Sequence, residues 1–322
     1  MTARPPADRL RRMRLAAQRL VPATAARDAV EACRSVVGIQ AQDVRAAGLA
    51  LRSRVPGLER AAIADAPLVR TWTVRGTVHL IDGRDRAWLH ALVGPRNRRS
   101  FDGLMEKRGA LEAARAMLPH IVAVLDEGPR SRAALLAELG SRGHPELGQG
   151  AINVVTAWAS AHGVVVGLAD GRLRSADPPP RHEEDDALAI LGRRYLAGYG
   201  PASAADLAHW SGLPITTARR ALAAVEGTEA AGDLVAPAGT FDREPPRAPG
   251  ALLLAAFDTA LLGYRRREPI VAAADDGHVL PGGGILRPTV LARGRASGTW
   301  RLDGSGARRA LALAWFGRPA PS

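Results

Sequence analysis

Residues 201–225, PASAADLAHWSGLPITTARRALAAV, contain the pattern that decides the fold. A predicted helix over 201–210 is followed by the turn Ser211-Gly212-Leu213-Pro214 and by a second predicted helix over 215–225. Two helices joined by a short turn that contains Gly are typical of a helix-turn-helix, whose second helix can enter a DNA groove. On the exposed side of that helix we expect DNA contacts from Thr216, Arg219 and Arg220.

The same order of elements occurs elsewhere in the chain. A helix that begins after Ser131 is followed by a helix over 151–162, and then by a hairpin with an Asp170-Gly171 turn. After 215–225, Gly232–Val235 could begin a comparable hairpin. Helices followed by a two-stranded ribbon form the winged-helix pattern, so the sequence predicts several such modules.

The N-terminal part shows the pattern for a third time. Helices are predicted over 8–20, over 25–37 with Thr24 as N-cap, and over 44–54. Two β-rich runs, 68–74 and 77–81, follow and are joined at Arg75-Gly76. Towards the C-terminus, strands are predicted over 279–286, 289–295 and 298–302. The predicted fold class is therefore α+β, with winged-helix modules at 8–125, 126–190 and 191–322 and a β-rich C-terminal part.

Composition narrows the class of partner. The chain has 322 residues, a formal net charge of +12 and 47% hydrophobic residues, which favours a folded protein that binds a polyanion. Among polyanionic partners, nucleic acid is the first expectation and a membrane surface is the second. The single cysteine, Cys33, excludes an internal disulfide and a Cys-rich zinc site. Because no signal peptide and no apolar run of about 18 residues is recognisable, we expect a cytoplasmic, nucleoid-associated protein.

Four short segments, in their order and spacing, carry a resemblance to a known family. They are Gly38–Asp43, Arg70–Leu80, Phe257–Tyr264 and Pro281–Gly284, and together they resemble the AlkZ/YcaQ-type winged-helix DNA glycosylases over about residues 8–305. The resemblance implies three tandem winged helices in a C-shaped arrangement around a basic channel. It also implies cleavage of the N-glycosidic bond of N7-alkylpurines, including interstrand crosslinks.

The family's active-site motif is Gln–apolar–Gln, or Gln–apolar–Asp in the YcaQ branch, and Gln40-Ala41-Gln42 matches the first form. An N7-alkylated purine is cationic and departs readily, so the enzyme must mainly place a water near the anomeric carbon. A Gln carbonyl oxygen can accept a hydrogen bond from that water and orient it. Read without the resemblance, two such glutamines are expected to cap or bridge local backbone. Asp43 could stabilise the cationic sugar or cap the helix over 44–54.

Other candidate residues have two interpretations each. Arg75, Thr77 and His79 alternate along one strand face and could support the active site, although a lone strand histidine is more often structural. Asp258 could line the channel or form a turn. Tyr264 and the basic run that follows it could bind DNA phosphates, or the run could be solvated surface. That run is Arg265, Arg266 and Arg267.

The sequence therefore predicts a monofunctional DNA glycosylase that acts as a monomer on duplex DNA with bulky or crosslinked N7-alkylpurines. No metal or organic cofactor is expected, and no lysine lies near Gln40 in sequence to support a Schiff-base lyase step. One alternative is a non-enzymatic winged-helix regulator that reads sequence with the helix over 215–225. Another is a relative that keeps the scaffold but serves a different substrate.

Overall fold

The chain folds into two compact units, seen in a computed structural model that describes residues 3–144 and 148–317. Unit 1 is discontinuous: it combines the chain up to Arg60 with the chain from Leu188 onwards. Unit 2 is the continuous segment Ala61–Ala187. This division groups the chain differently from the three predicted modules, because the first module contributes residues to both units. The division into three winged-helix modules stays a prediction from the sequence.

Helices account for most of the regular structure in the described residues. They are α1 (Ala7–Ala17), α2 (Ala29–Ser35), α3 (Val44–Arg52), α4 (Arg60–Asp65), α5 (Arg86–Lys107), α6 (Leu111–Asp126), α7 (Arg132–Ser141), α8 (Gln149–Ala161), α9 (Glu184–Tyr199), α10 (Ala204–Ser211), α11 (Ile215–Ala223), α12 (Thr259–Leu262) and α13 (Asp276–Val279). The strands are β1 (Ile39–Gln40), β2 (Leu68–Trp72), β3 (Val78–Asp82), β4 (Val165–Leu168), β5 (Leu173–Ser175), β6 (Thr228–Ala231), β7 (Leu234–Pro237), β8 (Ala251–Leu254), β9 (Thr289–Ala292), β10 (Arg295–Asp303) and β11 (Ala310–Trp315).

Unit 2 packs helices against a small antiparallel sheet. Its strands lie in the order β3-β2-β4-β5, and β2 pairs with both β3 and β4. Side chains from α5, α6, α7 and α8 form its core, among them Met105, Ile121, Leu135 and Trp158. The predicted elements are confirmed here: Ser131 caps α7, Gly163 ends α8 with φ +80°, and β4 and β5 form the hairpin around Asp170-Gly171.

Unit 1 contains the helix-turn-helix. Ser203 and Asp206 form a capping box at the start of α10, and Gly212 ends it in the left-handed conformation, where glycine has no Cβ to clash. The hairpin β6–β7 follows α11, as predicted, and packs with Leu10 and Met13 of α1. A second sheet has the order β11-β10-β9-β8, and its core includes Leu15 of α1. Antiparallel sheets beside helices give the α+β fold class, as predicted.

Three predictions of local structure are wrong or incomplete. The second helix begins at Ala29 and not after Thr24, because the Asp28 carboxylate accepts the Glu31 backbone N–H at 2.7 Å. No strand covers 279–286: α13 ends at Val279, and Gly282, Gly283 and Gly284 all have positive φ. The long helices α5 and α6 were not predicted, and each contains an internal proline, which is a helix-breaking signal in sequence.

No helix in the described part of the chain combines the length and apolarity that crossing a bilayer requires. The helix–helix–hairpin order of α7, α8, β4 and β5, and again of α10, α11, β6 and β7, is consistent with winged-helix modules.

Candidate active site

The segment that carries the two glutamines is fixed at both ends by helices. At its start, the chain leaves α2 through two consecutive positive-φ residues, Val37 (φ +56°) and Gly38 (φ +98°). The Gly38 backbone N–H donates to the Cys33 carbonyl at 2.8 Å, which closes the end of α2. Ile39 and Ala41 are buried and anchor the segment that runs from β1 to α3.

Gln40 and Gln42 contact each other, and their role in positioning a water stays a prediction. Gln40 Nε2 donates a hydrogen bond to Gln42 Oε1 at 2.9 Å. Gln40 is only 7% exposed, whereas Gln42 is exposed. The carbonyl oxygen of an amide has two lone pairs, so Gln42 Oε1 can accept a further hydrogen bond from a water or a ligand. Gln40 therefore orients Gln42 Oε1 as a solvent-accessible hydrogen-bond acceptor at the N-terminal end of α3.

Asp43 acts as the N-cap of α3. Its Oδ1 accepts the backbone N–H groups of Arg45 at 2.8 Å and of Ala46 at 3.2 Å. This is the structural one of its two predicted interpretations, and it fixes the direction in which α3 leaves the glutamine motif. The carboxylate is exposed, one residue beyond Gln42.

The far end of α3 leads into a buried ionic network. Arg54, which is fully buried, donates from Nη1 to Asp258 Oδ2 at 2.9 Å and from Nη2 to Asp258 Oδ1 at 2.8 Å. Gln18 Oε1 and Thr259 Oγ1 accept further hydrogen bonds from the same guanidinium. Burial acts to lower the pKa of Arg54, but the attraction of Asp258 outweighs it, so the pKa is raised and the charge is kept.

Asp258 therefore does not line a channel in unit 1. It is 0% exposed, it pairs with Arg54, and it caps the short helix α12 through the Ala260 backbone N–H at 2.9 Å. The turn-forming interpretation is the one that the structure supports. Sequence reasoning did not identify Arg54, because its partner lies 204 residues away and no local pattern marks the pair.

Tyr264 is also buried and cannot touch DNA from its position. Its hydroxyl donates to the Tyr199 carbonyl at 3.0 Å, and the Arg14 guanidinium carbon lies 3.8 Å from the centre of its ring. Burial raises the pKa of Tyr264. An aromatic ring enclosed in this way and held at its hydroxyl stabilises the core of unit 1, which corrects the prediction that it is a DNA contact.

The basic run after Tyr264 is divided by its surroundings. Arg265 and Arg266 are exposed, and the Arg265 backbone N–H donates to Asp206 Oδ1 at 2.9 Å. Arg267 is half-buried and forms an ion pair with Asp276 at 3.0 Å. Two of the three predicted phosphate contacts are therefore accessible to a polyanion, and the third is held by a carboxylate. On α11, the predicted DNA contacts Thr216, Arg219 and Arg220 are all exposed.

In unit 2, His79 lies in β3 and is completely buried. Its Nδ1 is 3.2 Å from the Thr77 carbonyl, and its buried Nε2 has no hydrogen-bond partner among the residues that the structure describes. Burial, and then the positive charge of Arg75, lower the pKa of His79 to about 3. The imidazole is therefore neutral at physiological pH and does not serve as a general acid there.

Arg75 and Thr77 lie in the turn between β2 and β3 and not on an exposed strand face. Arg75 has φ +56°, an uncommon conformation for a residue with a side chain, and is half-buried. Thr77 Oγ1 donates to the Val74 carbonyl at 3.1 Å, so its hydroxyl is used within the turn. The predicted face of three alternating polar residues is therefore not formed as a solvent-facing surface.

Within residues 3–144 and 148–317, no three His, Cys, Asp or Glu side chains come together as they would to hold a metal ion.

Comparison with known proteins identifies the family and the fold. The sequence model of the family described as "DNA glycosylase AlkZ-like" matches residues 33–321. The chain is 26% identical over 313 residues to an "Interstrand DNA cross-link repair glycosylase" of Streptomyces sahachiroi, with 82% of this chain and 80% of the relative covered. It is also similar to the solved structure of the S. sahachiroi DNA glycosylase AlkZ, with a TM-score of 0.74, 20% identity, and coverage of 100% of this chain and 93% of that one.

The structural likeness, at 20% identity, shows the shared fold. The family match covers most of the chain, including the glutamine motif, α11 and the C-terminal sheet. DNA glycosylases are hydrolases that act on N-glycosyl bonds. The chain therefore belongs to the AlkZ-like DNA glycosylase family.

Proposed function

We propose that this protein is a monofunctional DNA glycosylase that hydrolyses the N-glycosidic bond of bulky or crosslinked N7-alkylpurines in duplex DNA. Gln40 and Gln42 position the attacking water. The observation that carries the proposal is the hydrogen-bonded glutamine pair, with Gln40 Nε2 at 2.9 Å from Gln42 Oε1, in a member of this family. The S. sahachiroi relative is named for interstrand crosslink repair, which motivates the crosslinked substrate.

The chemistry needs little more than a placed water. In an N7-alkylpurine the bond between the sugar C1′ and the base breaks, and its electron pair neutralises the cationic ring. Water adds to C1′ and loses its proton to solvent. A neutral Gln cannot remove that proton as a strong base, but Oε1 can orient the water, and a lesion that leaves readily needs no more. Asp43 lies beside the pair and can stabilise the developing positive charge on the sugar.

The substrate partner is consistent with the charge of the protein. A net charge of +12 favours binding to the phosphate backbone, and the exposed Arg219, Arg220, Arg265 and Arg266 are candidates for those contacts. We infer a monomer that acts in the cytoplasm at the chromosome, where this substrate occurs. Sedimentation of the protein with and without duplex DNA tests the monomer.

The test is single-turnover base release from a duplex with one N7-methylguanine, and from a crosslinked duplex, read by alkaline strand cleavage on a gel. We expect Gln40→Ala and Gln42→Ala each to slow excision by roughly 10²-fold, as expected for losing one positioned polar group, with DNA affinity retained. The loss of excision rate in the double variant should be smaller than the product of the two single losses, because both side chains serve one water. Gln42→Glu should keep more activity than Gln42→Ala, since a carboxylate retains the acceptor.

The matched control is Gln149→Ala, which removes an exposed glutamine from the start of α8 in unit 2. It should excise at the wild-type rate. If Gln40→Ala and Gln42→Ala also excise at that rate, the pair is structural and the site assignment is wrong.

A second function has one observation in its favour. The exposed face of α11 carries Thr216, Arg219 and Arg220, the arrangement that a sequence-reading helix would use. A winged-helix regulator would bind one duplex sequence with strong preference and would release no base. The same experiment decides, because a wild-type protein that excises nothing from any alkylated duplex leaves the regulator as the better conclusion.

A further inference from the structure

Unit 2 contains a cavity that the proposed active site does not use. Its volume is about 520 Å³, within the roughly 300–1,000 Å³ range of small-molecule sites. It lies where the tip of the β2–β3 hairpin, at Trp72 and Gly76, meets the second half of α5, from Asn97 to Lys107. We call it the α5–hairpin cavity.

Two aromatic rings form its apolar wall. Trp72 and Phe101 contact each other edge-on, with ring centroids 4.7 Å apart and planes at 67°. Both side chains are half-buried, so part of each ring stays accessible. Another planar ring can stack against the accessible part of these rings, and every nucleobase offers such a ring.

The other wall is cationic. Arg99, Gly103 and Lys107 follow each other at intervals of four along α5, so they share one helix face. Arg99 and Lys107 are exposed, and no Asp or Glu is among the described residues that line the cavity. Two cations beside an aromatic surface match a nucleotide, whose base is planar and whose phosphates are anionic.

The cavity is held in shape by the fold. Asn97, 3% exposed, donates from Nδ2 to the Thr73 carbonyl at 3.1 Å and so fixes the hairpin tip against α5. Apart from adjacent residues and the backbone of its own helix, no heavy atom of the described residues lies within 4 Å of the place where a Cβ of residue 103 would lie. That open space at the cationic wall belongs to the cavity, and a larger side chain there would fill it without displacing the protein.

We propose that the α5–hairpin cavity binds one unstacked nucleotide of the DNA on which the protein acts, with its base against Trp72 and its flanking phosphates at Arg99 and Lys107. The inference rests on the proposed function for its ligand, DNA, and adds a site at which a nucleotide displaced from the base stack is held. Holding it lowers the free energy of locally opened duplex, which is the state that exposes a bulky lesion.

The experiment compares two duplexes, one fully paired and one with a single bulged 2-aminopurine, whose fluorescence falls when the base stacks. Wild-type protein should bind the bulged duplex more tightly, by roughly 5- to 160-fold, the range for one base–aromatic stack, and should quench the probe. Gly103→Leu should abolish both the preference and the quenching while binding of the paired duplex persists. Trp72→Leu should do the same.

The matched control is Gly140→Leu in α7 of the same unit, where a Cβ would likewise have no described neighbour within 4 Å apart from adjacent residues and the backbone of its own helix. It should keep the preference and the quenching. Lys107 provides a second measurement because it is the only lysine in the chain. Acylation of its amine, followed by mass spectrometry, should be slower with the bulged duplex than with the paired one.

A wild-type protein that does not distinguish the two duplexes, or a Gly103→Leu variant that quenches as well as Gly140→Leu, overturns the proposal. Excision of N7-methylguanine is measured in parallel. Normal excision without the bulge preference removes the nucleotide site and keeps the glycosylase. A preference for the bulged duplex without any excision keeps the nucleotide site and removes the glycosylase. If neither duplex is bound, both proposals fail.

Discussion

Replacing Asp258 with Ala should strongly destabilise unit 1. The substitution removes both carboxylate acceptors, at 2.8 and 2.9 Å, from Arg54, whose side chain is 0% exposed. The remaining partners, Gln18 Oε1, Thr259 Oγ1 and the Ala50 carbonyl, are neutral and cannot compensate the charge. Breaking a buried ion pair on one side costs about 3–5 kcal/mol, because an uncompensated charge is left behind. We expect the free energy of unfolding of unit 1 to fall by that amount.

The assay is a urea titration read by hydrogen exchange, with peptides from residues 3–60 and 188–317 followed separately from those of 61–187. Only the first group should unfold earlier. The matched control is Asp303→Ala, which breaks the exposed Arg301–Asp303 pair on β10 and should leave the titration unchanged. The double variant Arg54→Met/Asp258→Leu removes both charges and should recover much of the loss. A loss below about 1 kcal/mol for Asp258→Ala would refute the reasoning.

Three further outcomes are expected. Because the pKa of His79 is lowered to about 3 in the folded protein, the unfolded chain takes up this proton first as the pH falls. The free energy of unfolding should therefore fall by on the order of 4 kcal/mol between about pH 6.5 and pH 3. In acid unfolding, His79→Leu should remove this pH dependence. The double variant Arg265→Ala/Arg266→Ala should weaken binding of all duplexes, and the slope of log affinity against log salt concentration should become shallower by about 0.9 per lost phosphate contact. Arg267→Ala should change neither, because Arg267 is paired with Asp276. Equal slopes for the wild type and the double variant in polarisation titrations would contradict this. Gly103→Ala should raise the thermal midpoint, by the equivalent of roughly 0.5–1 kcal/mol, because the position is helical and open; an unchanged midpoint would contradict it.

Sequence alone predicts the elements whose signals are local. The capping residue Ser131, the Asp170-Gly171 turn and the Gly212 helix end each lie within a few residues of what they determine, and all are found where expected. The hydrogen bond between Gln40 and Gln42 is also local, since the two residues lie two positions apart, but the motif did not predict it.

What the sequence does not reveal depends on distant parts of the chain. Asp258 and Tyr264 come shortly before the basic run Arg265–Arg267 and suggest a binding surface, yet both are buried by partners far away in sequence. Arg54 meets Asp258 across 204 residues, and a 3.6-residue periodicity carries no information about such a contact. The α5–hairpin cavity was missed for a related reason: α5 contains Pro95, which indicates a helix break, so no helix was predicted to carry Arg99 and Lys107.

The discontinuity of unit 1 has a consequence for how the protein is made on the ribosome. Unit 2 is complete once Ala187 has emerged, but the first sixty residues must wait for partners that are translated later. At roughly 5–20 residues per second, the synthesis of residues 188–322 takes on the order of 7–27 s. During that interval Leu10, Met13 and Leu15 of α1 lack the C-terminal side chains that cover them in the native protein. Nascent chains stalled once Ala187 has left the ribosome should therefore be captured by chaperones at α1, while unit 2 already resists protease.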